Sequence, residues 1–272
     1  MKKIIIYVVF FLCITWLSFA DQAETAREEI SRREPILEKE AEDLFRISSY
    51  EEYSWVQVGS RKGYWNLLVN HIAYLNQNIP AAYFDFTIHD RLKEIDYTFD
   101  AGTYLKFKNG YFHSEAGFGE DVDYIYKFKA LAEIEHKLIG NLNANIDTRY
   151  RHYDTGAVYI LSPGLVYYFG NNYISADYGI SFTEKRDTAQ FGTLRTFFSP
   201  TDYLQLWGGV SLGERLYDII PRKSEKQKGY IFFAGTDLII SKHIKFSAGF
   251  SYAEEEPSFI KRSINFQVDI SF

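Results

Sequence analysis

The chain has 272 residues, a net charge of −6, 18% aromatic residues and one cysteine. Acidic side chains number 36 against 30 basic ones, which excludes the basic face of a nucleic-acid binder. A lone cysteine excludes an internal disulfide and a thiolate metal site.

At the start, Lys2 and Lys3 precede an uncharged, mostly apolar run over 4–19, and Ser18-Phe19-Ala20 offers small residues for cleavage. This pattern predicts an export signal over 1–20. An uncleaved anchor is the rival reading, because the run approaches bilayer-spanning length. Cys13 lies inside the run, so the exported chain would carry no thiol.

Residues 21–52 differ from all that follows. Acidic Glu24, Glu28, Glu29, Glu38 and Glu40 alternate with basic Arg27, Arg32, Arg33, Lys39 and Arg46. Pro35 suits a first helical turn, and Leu37, Ala41 and Leu44 recur at helical spacing. We expect a charged periplasmic leader with a short amphipathic helix, serving as a solvated linker or as a docking segment for a periplasmic partner.

From Tyr53 the period becomes two, the signature of strands. Strands are predicted over 54–60, 64–76, 81–91, 94–107, 109–119, 124–137, 141–152, 156–169, 172–183, 188–198, 202–213, 228–240, 243–253 and 260–272. This even number suits a single-chain bacterial barrel whose termini share one side. Even-numbered connections are short, such as Lys108-Asn109, Gly170-Asn171-Asn172 and the turn at Gln77-Asn78-Ile79-Pro80. Odd-numbered ones include Gly119-Glu120-Asp121-Val122-Asp123 and the segment 213–228, with Arg222, Lys223, Lys226 and Lys228. The second is the expected outer loop.

The two faces differ in chemistry. In 126–137, Tyr126, Phe128, Ala130, Ala132 and Ile134 oppose Lys127, Lys129, Glu133, Glu135 and Lys137. In the next strand, Leu142, Ala144, Ile146, Thr148 and Tyr150 oppose Asn143, Asn145, Asp147, Arg149 and Arg151. Asp85, His89 and Arg91 oppose Phe84, Phe86 and Ile88, and Asp96 and Asp100 oppose Ile95, Tyr97 and Phe99. In the last strand, Ile264, Phe266, Val268, Ile270 and Phe272 oppose Ser263, Asn265, Gln267, Asp269 and Ser271. A basic residue facing mid-membrane lipid costs about 2–4 kcal/mol, so the charges should line an enclosed lumen. Not every strand is clean: in 188–198, Phe191, Leu194, Phe197 and Phe198 fall on mixed faces, which points to a bulge or a shifted boundary.

A soluble sandwich explains alternation equally well, with its oily side inward. The export signal, the terminal Phe272, the parity of turn lengths and the aromatic content favour the membrane form. The expected fold class is therefore all-β: a transmembrane up-and-down antiparallel β-barrel of about fourteen strands, behind a short helical leader. Trp55, Trp65, Tyr167, Tyr168, Tyr173 and Tyr203 are candidates for an interfacial aromatic girdle.

The run Arg149-Tyr150-Arg151-His152-Tyr153-Asp154-Thr155-Gly156 through Gly164-Leu165-Val166-Tyr167-Tyr168-Phe169-Gly170-Asn171 resembles the YaiO-type outer-membrane β-barrels. The run Thr193-Leu194-Arg195-Thr196-Phe197-Phe198 through Tyr203-Leu204-Gln205-Leu206-Trp207-Gly208-Gly209 does so too. The likeness spans about 53–272 and implies location in the outer membrane of a diderm bacterium, with no established activity. The chain is also similar to the carboxy-terminal barrels of exopolysaccharide exporters, whose helical repeats have no counterpart in the 21–52 leader. Phe272 is similar to the terminal signal read by the barrel-assembly machinery.

No catalytic residue, metal site or cofactor is expected. His113 and Ser114 are adjacent, hence on opposite faces, and cannot act as base and nucleophile. His113 with Glu115 lacks a hydroxyl partner in the sequence pattern. The inner charges admit two readings: cross-strand pairs that narrow the lumen, or a wet path that selects solutes by charge. The expected roles follow: a channel or export pore for a polar solute or polysaccharide, a non-conducting structural or surface-interaction barrel, or a lipid- or glycan-modifying envelope enzyme.

Overall fold

The computed structural model describes residues 45–75, 81–91, 94–120, 125–184, 187–220, 223–256 and 258–272. The expected export signal, the helix expected around Leu37, Ala41 and Leu44, the Gln77-Asn78-Ile79-Pro80 turn and Arg222 lie outside these residues.

Alternating sequence becomes fourteen strands: β1 (Phe45–Val58), β2 (Arg61–Tyr74), β3 (Ala81–Arg91), β4 (Glu94–Phe107), β5 (Gly110–Glu120), β6 (Phe128–Ile139) and β7 (Leu142–Tyr153). They continue as β8 (Gly156–Phe169), β9 (Asn172–Thr183), β10 (Thr188–Thr201), β11 (Leu204–Ile220), β12 (Lys223–Ser241), β13 (Ile244–Glu255) and β14 (Phe259–Ser271). Each pairs antiparallel with its sequence neighbours, and β1 pairs with β14 to close the barrel. At the seam the Phe272 amide donates to the Phe45 carbonyl at 2.9 Å. Closure leaves no free edge, which a lipid environment demands because no water is there to satisfy backbone groups.

The faces are polar inside and apolar outside. Leu165, Leu194, Ile146 and Phe266 are exposed on the outer surface, while Glu133, Asp147 and Ser211 are buried within. This arrangement rules out the sandwich. Strand 188–198 is regular after all. Leu194 and Phe198 face out, Phe191, Thr193, Arg195 and Phe197 face in, and the register shift comes later, between Phe198 and Thr201.

Two boundaries differ from expectation. β1 begins at Phe45 instead of 54, so Glu52 belongs to the barrel wall and not to the leader. Segment 213–228 is not a loop. β11 runs to Ile220 and β12 starts at Lys223, with Tyr217 paired to Glu225. Turn parity therefore fails to separate the two ends, because Gly59-Ser60 and Asp154-Thr155 are as short as Gly140-Asn141 and Gly170-Asn171. At the termini end, Gly140 and Gly170 adopt φ of 56° and 63°, the left-handed conformation that these tight turns require.

Candidate functional site in the barrel lumen

Two inner walls face each other. The first, on β3 to β7, is ionic. Lys129 lies 3.2 Å from Asp100 and 2.9 Å from Glu115, all buried. Gly117, between them in register, lacks the Cβ that would overlap the Asp100 carboxylate. Tyr126 donates to Asp100 at 3.0 Å, and its ring sits 5.0 Å beneath the Lys129 ammonium. Arg149 donates to Asp147 at 2.9 Å. Asn143 donates to Glu135 at 2.6 Å. In a closed interior such charges persist only when paired and hydrogen-bonded.

Other predicted lumen residues take their own partners. His71 Nδ1 lies 2.6 Å from half-buried Asp85, His89 meets the Thr98 hydroxyl at 3.0 Å, and Arg91 stacks 5.2 Å over Trp65. Asp96 is buried on the same face, and Arg151 is half-buried below Arg149. Across the lumen, buried Asp269 lies 3.4 Å from Lys245 and accepts from Gln267 at 2.7 Å. Glu133 accepts from Tyr111 at 2.9 Å.

Lys127 is a correction. β6 starts only at Phe128, so Lys127 sits outside the lumen, half exposed, and pairs with Asp154 at 2.5 Å. Tyr126, expected against lipid, takes the inward place instead. A residue ahead of a strand is not bound by the strand's alternation.

The second wall, on β8 to β13, is aromatic. Tyr168 is in register with Tyr173, Tyr173 with Phe197, and Phe197 with Trp207. All four point inward, forming one row near the termini end with Val166 packed among them. Tyr173 and Phe197 stack at 5.6 Å with planes 5° apart. Next in the row come Gly235 and Gly249, and a Cβ on either would overlap the Trp207 ring. The indole therefore lies flat along the wall and donates Nε1–H to Asp237 at 2.9 Å. Tyr168 donates to Glu135 at 2.9 Å, tying the two walls together. One layer deeper, Asp177 accepts from Arg195 at 2.7 Å and from Asn145 at 3.1 Å.

This row corrects half of the expected girdle. Trp55, Tyr167 and Tyr203 are exposed outside, where a belt would be. Trp65, Tyr168 and Tyr173 are inside: Trp65 packs on Val56 and Phe259, and the two tyrosines belong to the row.

His113 and Ser114 do lie on opposite faces, but His113 is not without a hydroxyl. The Tyr83 hydroxyl, brought in from β3 over Gly102, lies 2.9 Å from its Nε2 and also contacts Glu115. Sequence spacing could not show this partner, which comes from thirty residues away.

Sequence reasoning also passed over Glu52, Asp177, Arg195, Asp237, Glu255 and Lys261. All share the inner parity of their strands, which was the available signal. Lys261 and Glu52 make a fully buried pair at 2.7 Å across the seam. Among the described residues the buried carboxylates are Glu52, Asp96, Asp100, Glu115, Glu133, Glu135, Asp147, Asp237, Glu255 and Asp269. The buried Lys and Arg are Arg91, Lys129, Arg149, Arg195 and Lys261, half as many.

Comparison with known proteins fits this picture. Residues 46–216 match the YaiO membrane beta barrel domain. No curated protein matches in sequence. In structure, the chain is similar to a bacterial polysaccharide outer membrane secretin, at TM-score 0.61 and 8% identity over 85% of this chain and 99% of that one. It is similar to the CymD monoaromatic hydrocarbon channel, at TM-score 0.58 and 6% identity over 85% and 89%. The Pseudomonas putida toluene transporter TodX gives TM-score 0.55 and 10% identity over 94% of both chains. At such identities the likeness is one of fold.

Proposed function

From a chain that belongs to the YaiO membrane β-barrel family, with fourteen strands closed around a polar lumen, we propose an outer-membrane channel for polar solutes or a polysaccharide. The observation that carries this reading is the two-to-one excess, among the described residues, of buried carboxylates over buried Lys and Arg on the inner wall. Rings of acidic side chains favour cations and repel anions. Paired side chains also narrow the path, so conductance should be small and cation-selective. The similar solved structures, a polysaccharide secretin and a monoaromatic hydrocarbon channel, support passage as a use of this fold. Planar bilayers with a potassium chloride gradient test it: the expected result is small steps whose reversal potential favours potassium. Silence at every voltage from correctly folded protein overturns it.

A second reading, a non-conducting surface-interaction barrel, draws on β11 and β12, which at 17 and 19 residues are longer than all other strands. Shortening that hairpin should then abolish surface binding and leave conductance untouched. The same proposal includes cleavage of the 1–20 signal, assembly through Phe272 by the barrel-assembly machinery, contact with outer-membrane lipid, and a periplasmic partner for the leader. It assigns the barrel no enzymatic step.

A further inference from the structure

We propose that the inner aromatic row at the termini end is a saccharide-binding wall, with Trp207 as its platform. The row runs Tyr168–Tyr173–Phe197–Trp207 across four consecutive strands, with Tyr173 and Phe197 buried within the wall and the half-buried Tyr168 and Trp207 left to meet a ligand. An interfacial girdle would place such rings outside, against lipid. Here they face the lumen, where nothing apolar passes unless the wall is built for it.

The geometry selects the ligand. Trp207 lies with one face on Gly235 and Gly249, so its other face turns to the barrel axis, and the side chain is only half-buried. Its edge is pinned by Asp237, which leaves a rigid flat surface at little entropic cost. Tyr168, also half-buried, is pinned in the same way by Glu135. Flanking the row are donors set on acceptors: Asn143 on Glu135, and Asn145 and Arg195 on Asp177.

A hydrocarbon ligand would cover the half-buried Asn143, Lys245 and Gln267 beside the row without replacing their contact with water, a net cost. A pyranose ring suits both features, since its axial C–H face is apolar and its rim carries hydroxyls. The nearby carboxylates Glu135, Asp177, Asp237 and Asp269 outnumber Arg46, Arg195 and Lys245, so acidic sugars are disfavoured. The class is therefore a pyranoside chain lacking acidic groups.

This inference rests on the channel reading for its biological use, but binding is measured without conductance. Calorimetry on detergent-solubilised, heat-modifiable protein would titrate cellohexaose, a polygalacturonate oligomer and toluene. Saturable binding of cellohexaose, weakened about tenfold or more by Trp207→Ala and largely retained by Trp207→Phe, is expected. Should Trp207→Ala fail to fold, Tyr168→Ala serves with the same expectation. No saturable binding of cellohexaose, tighter binding of toluene or the acidic oligomer, or equal affinity in the folded alanine variant overturns the proposal. Binding without conductance would sink the channel and leave this wall standing; conductance without binding would do the reverse.

Discussion

The wall on β3–β7 and the wall on β8–β13 share alternation and antiparallel pairing, yet they fill the lumen by opposite means. On the first, Lys129 bridges Asp100 and Glu115 while Gly117 makes room for the approach. On the second, Trp207 lies over Gly235 and Gly249, Phe191 over Gly179, and Phe233 over Gly209. Glycine supplies the space in both cases, and its neighbour decides whether a charge or a ring occupies it. The inner face of a barrel is thus not simply polar. It is whatever its cross-strand partners can satisfy.

The sharpest way to break this contrast is Lys129→Ala. It leaves Asp100 and Glu115 buried with their bridging cation removed, and should cost about 3–5 kcal/mol, read from the urea midpoint of the unboiled gel band. Wild-type stability in that variant would mean that the ionic wall is solvated. On the aromatic wall, Gly249→Ala forces a methyl against the Trp207 ring and to about 2.7 Å from the Asn265 side-chain oxygen. Overpacking of this kind should cost about 1–3 kcal/mol and shift tryptophan emission as the indole lifts off the wall. Phe197→Leu stays apolar but is smaller and loses the stack on Tyr173, so a loss of at least about 0.5–1.5 kcal/mol is expected in the same denaturation assay. Smallest of all, Lys127→Ala removes a half-exposed pair with Asp154 and should change stability by about 0–1 kcal/mol. An effect on the scale of Lys129→Ala would return Lys127 to the lumen.

The ionic wall was largely legible in the sequence, because a charge at every second residue has only one affordable direction in a barrel. Asp100, Lys129, Glu133, Asp147 and Arg149 follow from that rule alone. The aromatic wall was not. Tyr168 and Tyr173 are apolar enough for lipid and polar enough for an interface, so composition points them outward. Only their parity with Ser162, Ser175 and Asp177 points them in. Lys127 failed for a different reason: it precedes its strand, where alternation has no hold. Glu52 was lost with the leader, since charged residues before Tyr53 obscured the alternation that begins at Phe45. Tyr83 beside His113 needed register between strands, which no local pattern carries.

Adjacent Thr193 and Leu194 on β10 test the placement of the two faces most directly. Thr193 is buried within the barrel and Leu194 is half exposed outside. In a Cys13→Ser background, a cysteine at either position is the sole target for a nitroxide label. In lipid bilayers, a label at 194 should collide with dissolved oxygen and be shielded from a water-soluble nickel complex, and a label at 193 should not show that oxygen preference. Oxygen contact at 193 with nickel contact at 194 would turn the barrel inside out and contradict the account.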